Sequence, residues 1–190
     1  ERITFRRYSV SSTNSLVSET ALIHPDIPQC DANTHCSGFD IALGGRPALS
    51  LSPRVYIAGS RVLSGTIRSI AVQIDPYTGA STGIGHREMA AQARGRGIAV
   101  KPASILDNGH DEIFVLAEKD RSCKDGMVVS GYVWNVALST YTIWRKTLGG
   151  SDATGLPCSS LAPPEAWPHD IAYEAGRLGV AGHSISEPLC

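Results

Sequence analysis

The feature that most constrains this 190-residue chain is a recurring unit: a short apolar strand opening, a turn, then a second strand. It occurs at Asp40-Ile41-Ala42-Leu43 followed by Arg54–Ser60, and at Gly97-Ile98-Ala99-Val100 followed by Glu112–Ala117. It occurs again at Asp170-Ile171-Ala172-Tyr173 followed by Arg177–Ser184. A period of this size marks units that bury a shared core by stacking. After the first unit comes a cleanly alternating run, Ile67–Ile74, with Ile70, Val72 and Ile74 on one face, closed by Asp75-Pro76-Tyr77-Thr78-Gly79. Alternation ended by such a cluster reads as a strand and a turn. In the second unit Met127–Val136 and Thr140–Thr147 are expected strands, the latter closed by Gly149-Gly150.

These runs predict an all-β chain of short antiparallel sheets, with a β-sandwich as the alternative arrangement. One short helix is expected around His86–Arg94, ended by Gly95 and Gly97. The whole chain reads as one β-rich domain, with repeat-like units at 39–80, 97–150 and 170–190 and a long loop or excursion at 9–38. Nineteen Gly and eleven Pro fit a turn-rich fold. The segment Ile3–Tyr8 is expected as an edge strand able to pair with another chain.

Charge and hydropathy exclude two classes. A net charge of −1 leaves no basic stripe for phosphates, so nucleic acid is not an expected partner. No apolar run approaches the ~20 residues of a transmembrane helix. The chain begins at Glu1 without a methionine or signal peptide, which we read as a processed secretory chain, extracellular, periplasmic or at the cell surface.

The five cysteines fit no zinc pattern, since no Cys-x-x-Cys pair occurs. Cys30 and Cys36 flank a polar loop that one bridge would close, and Cys123 and Cys158 lie in turn-like sequence, so these four are disulfide candidates. The odd cysteine is assigned to Cys190, free or interchain.

The strings Asp40-Ile41-Ala42, Val55-Tyr56-Ile57-Ala58-Gly59-Ser60, Ala71–Gly79 and Trp144-Arg145-Lys146-Thr147-Leu148-Gly149-Gly150 together resemble the repeats of bacterial extracellular β-propellers. The resemblance covers about two thirds of the chain. It implies propeller-like blades, here incomplete at both ends, because closed propellers carry typically about four to eight. It implies no catalytic residue. A partial set leaves sheet edges that another chain must cover, which makes a homo-oligomer or a partner chain the expectation.

Candidate sites can be picked out by residue type. Tyr132, Trp134, Tyr141 and Trp144 cluster in one strand pair and are the binding candidates, for a glycan or a protein surface. Asp107-Asn108-Gly109-His110-Asp111 is an oxygen-rich turn in which Asp107 and Asp111 could hold calcium, though it lacks the full loop of a dedicated site; no other cofactor or metal is expected. His110, Asp111 and Glu112 supply acid–base groups, but no nucleophile elbow or phosphate loop accompanies them. The function expected first is a secreted structural or assembly module. A carbohydrate-binding module and an extracellular hydrolase on loop ends are the alternatives.

Overall fold

The structure, a computed structural model, describes residues 3–19, 30, 35–45, 52–104, 109–119, 126–148 and 165–185. Strands β1 (Tyr8–Val10) and β2 (Leu16–Ser18) form a small hairpin. A four-stranded antiparallel meander comes next: β3 (Cys36–Gly44), β4 (Arg54–Leu63), β5 (Thr66–Ile74) and β6 (Ser81–Ala91). A second meander contains β7 (Ala93–Lys101), β8 (Glu112–Lys119), β9 (Gly126–Asn135) and β10 (Thr140–Leu148). The hairpin β11 (Glu165–Glu174) and β12 (Arg177–Ile185) is the third sheet of this series. Among the described residues the chain is all-β, and none of the sheets closes into a barrel.

The sheets pack face to face in chain order. β7 lies against β3, β4 and β5, and β11 lies against β7, β8 and β9. Strand alternation gives each sheet two faces. The first sheet turns Tyr56, Ala58 and Ala71 toward Ile98, Val100, Ile113 and Val115 of the second, forming one core cluster. The second turns Ala99, Phe114, Leu116 and Val129 toward Ile171 of the third. β4 and β8 are buried along most of their length because both of their faces are covered, which explains their near-continuous apolar sequence.

The three strands that carry the Ile-Ala pair share an irregularity. Each has a register shift just before the pair, between Gly38 and Asp40, Gly95 and Gly97, and Pro168 and Asp170. Each bulge inserts one unpaired residue, namely Phe39, Arg96 and His169.

Three expectations are corrected. Residues 86–94 are not a helix; among the described residues there is none. They form the end of β6 and the start of β7, joined at Gln92 with φ 50°. Met89 and Ala90 are successive in sequence and belong to different core clusters, so this stretch is buried on both sides as a strand. That tertiary burial overrides the local helical reading. Gly95 is no helix stop: a Cβ there would lie 2.4 Å from the Gly59 carbonyl oxygen, so glycine permits the two sheets to touch.

The segment Ile3–Tyr8 is not an exposed edge strand over its whole length. Ile3 and Phe5 are buried against Val55, Ile57, Ile70, Val72 and Ile74, plugging the open face of the first sheet. Within 9–38, expected as a long loop or excursion, the described residues include the rest of the β1–β2 hairpin and the start of β3. Cys30 and Cys36 are joined by a disulfide beside this plug. Cys123, Cys158 and Cys190 lie outside the described residues.

Candidate functional site

The β9–β10 register sorts the four aromatic candidates. Trp134 pairs with Tyr141 and Tyr132 with Ile143, so these side chains share the face turned toward the first sheet. Trp144 pairs with Gly131 and takes the opposite face, near Phe114. Three candidates therefore meet at the joint between the first two sheets, and the fourth does not.

At this joint Tyr132 stacks on Tyr141 with centroids 4.3 Å apart, and His110 stacks on Trp134 at 3.7 Å. The rings cover one another's faces instead of presenting an open platform. Tyr132, Tyr141 and His110 border a cleft of about 550 Å³, completed chiefly by Arg54, Gln73 and Arg87. Arg87 donates its Nε–H to the Tyr132 hydroxyl at 3.2 Å. Burial, with Asp111 adding to it, pushes the Tyr141 hydroxyl up to about 12, so it stays protonated and donates to the Asp111 carbonyl oxygen at 3.1 Å.

Behind the cleft lies Asp111, fully buried. Its carboxylate accepts hydrogen bonds from the Gly45 N–H, the Ala103 N–H at 2.7 Å and the Tyr56 hydroxyl at 2.7 Å, and pairs with the Arg54 guanidinium at 3.2 Å. Burial lowers the pKa of Arg54, but Asp111 and Tyr56 outweigh it and the net shift is upward. Burial and Asp111 together hold the Tyr56 hydroxyl far above its ordinary range. Gly44 makes the approach possible, since a Cβ there would lie 2.4 Å from the carboxylate. A buried charge is tolerated only when its lone pairs are met in this way.

This geometry bears on the acid–base and calcium candidates. His110 faces the cleft, Asp111 is held by protein donors, and Glu112 pairs with Lys101 at 3.3 Å. The three neighbours do not converge on one point. Calcium seeks oxygen ligands, whereas Asp111 is ringed by N–H and O–H donors; Asp107 lies outside the described residues. Among the described residues no group of three or more His, Cys, Asp or Glu is placed to hold a metal.

The second notable region is the two ends of the stack: the outer face of the first sheet, which Ile3 and Phe5 cover over β4 and β5 but leave open at Ile41 and Leu43, and the outer face of the β11–β12 hairpin. At the first end Ile41 is 50% exposed and Leu43 72%, while Ile98 and Val100, at the same places after the β7 bulge, are 4% and 9% exposed. At the far end Asp170, Ala172, Gly179 and Ala181 share an exposed face of the β11–β12 hairpin. The corresponding Asp40 uses its Oδ2 to accept the Ile98 N–H of the next sheet at 2.8 Å, while its Oδ1 accepts its own Ile41 N–H. Asp170 makes the same local bond, to the Ile171 N–H at 2.8 Å.

Sequence reasoning located Tyr132, Trp134 and Tyr141 but missed Arg54, Tyr56 and Arg87, which approach from a different sheet. The repeat already aligned Asp40-Ile41-Ala42 with Asp170-Ile171-Ala172, but the bond from Asp40 to the next sheet is visible only in the fold. No protein-family model matches the chain, and neither a curated protein nor a solved structure does.

Proposed function

We propose that the chain is a secreted structural or assembly module, a section of a propeller-like stack of sheets that is completed by sheets of neighbouring chains. The observation that carries this reading is the exposure of Ile41 and Leu43 where Ile98 and Val100 are buried by a preceding sheet. Exposed apolar side chains at positions otherwise covered mark an association surface. Asp170 supports it from the other end, as the counterpart of a residue that bonds the next sheet's backbone. The Cys30–Cys36 disulfide fits an oxidising compartment. In this reading the aromatic cleft is a joint that sets the angle between sheets, its rings and Asp111 acting in support of assembly and not as a ligand platform.

Sedimentation velocity over a concentration series tests the proposal. Self-association of the wild-type chain is expected, with a shift to monomer in an Ile41→Thr, Leu43→Thr double variant. A wild-type chain that remains monomeric at every concentration and in the presence of its secretory milieu contradicts it.

A further inference from the structure

The three bulges direct side chains to one place. Phe39, Arg96 and His169, the three bulged residues, all border a single groove, together with Glu118, Trp167 and His183. A bulge re-aims a side chain that regular alternation would send elsewhere. In β11 the consequence is chemical. His169 Nε2 lies 2.6 Å from His183 Nδ1, across the hairpin and exposed to solvent. Trp167 pairs with His183 in the register and stacks on its ring at 4.8 Å, which fixes the orientation of the imidazole. In the same groove the Glu118 carboxylate is held by Arg96, so the imidazoles are the ligating groups the groove offers.

From this geometry we infer that His169 and His183 form a two-imidazole site for a divalent transition-metal ion of the nickel, copper or zinc class. Two facing ring nitrogens can approach to 2.6 Å only with one hydrogen between them. A cation takes the place of that hydrogen. The ring that carried it shifts that hydrogen to its outer nitrogen, where its partner already holds its own, so both neutral rings turn an inner lone pair to the metal. With metal–nitrogen bonds of about 2.1 Å at a tetrahedral angle, the two nitrogens stand about 3.4 Å apart. Two exposed side chains reach that spacing by small rotations. Imidazole nitrogen suits these metals and not calcium or magnesium, which take oxygen. Water completes the coordination, so the site is open on its solvent side. The inference does not depend on the assembly reading.

Calorimetric titration of the untagged chain with nickel chloride tests it, with copper quenching of indole fluorescence as a second readout because Trp167 lies against His183. One ion per chain is expected, with no heat from magnesium chloride. His169→Asn and His183→Asn are each expected to weaken binding by roughly tenfold or more. Both side chains are exposed, so circular dichroism unchanged from wild type is expected, and either variant alone is decisive. An absence of nickel binding, or a His183→Asn chain that binds nickel as tightly as wild type, overturns the inference.

Discussion

The two joints of the stack use different physics. Between the first and second sheets a buried carboxylate, a guanidinium and a tyrosine hydroxyl sit beside an apolar cluster, and Asp40 reaches across to a backbone N–H. Between the second and third sheets the contact is a cluster of Ala99, Phe114, Leu116, Val129 and Ile171, with Phe114 stacked on Tyr173 at 5.8 Å. Hydrogen bonds to a buried charge fix direction and register, while apolar burial supplies affinity with less geometric demand. The first joint is specified, and the second is chiefly adhesive.

Removing the polar lock is the largest way to break the contrast. Asp111→Ala strands Arg54 and Tyr56 and is expected to cost about 3–5 kcal/mol in urea unfolding. At the apolar joint Phe114→Ala is expected to cost about 3 kcal/mol, by lost burial and a cavity. Asp40→Ala, which frees one backbone N–H of the neighbouring sheet, is expected to cost about 1.5 kcal/mol. A cost for Asp111→Ala below that of Phe114→Ala would remove the distinction between the joints.

The last expected effect concerns pH. Burial, with Arg61 and Arg87 adding to it, lowers the His86 imidazole from 6.5 to about 4. The unfolded chain therefore binds this proton more readily than the folded one. The contribution of His86 to stability is neutral above pH 6.5 and turns progressively destabilising as pH falls from 6.5 toward 4, below which it levels off. His86→Gln is expected to flatten the urea midpoint against pH within that window. An identical pH profile in the variant would assign the sensitivity to other groups.

Much of this architecture was legible in the sequence because it is local. Alternation in Ile67–Ile74 identified β5, and the aromatic spacing in 132–144 identified β9 and β10 as a pair. Cys30 and Cys36 close a short loop, so their bridge was also readable. The misread stretch, 86–94, contains good helix formers whose fate is decided by burial on two sides, which no local pattern encodes. The polar lock was invisible for a related reason. Arg54 and Tyr56 are far from Asp111 in sequence, and nothing near any of them signals that the chain returns. The histidine pair required the bulge at His169, a one-residue offset that shifts which side chains are neighbours.

Asp111 also decides how the molecule comes apart. In a stack where each unit touches only its neighbours, opening can begin at any end and proceed unit by unit. A charge whose partners lie on β4, just after β3 and in the β7–β8 connection resists that, because parting the first two sheets exposes it at once. Those two sheets are expected to exchange their amide hydrogens as one cooperative block, at the free energy of global unfolding. The β11–β12 hairpin, held chiefly by side-chain packing, opens first and separately.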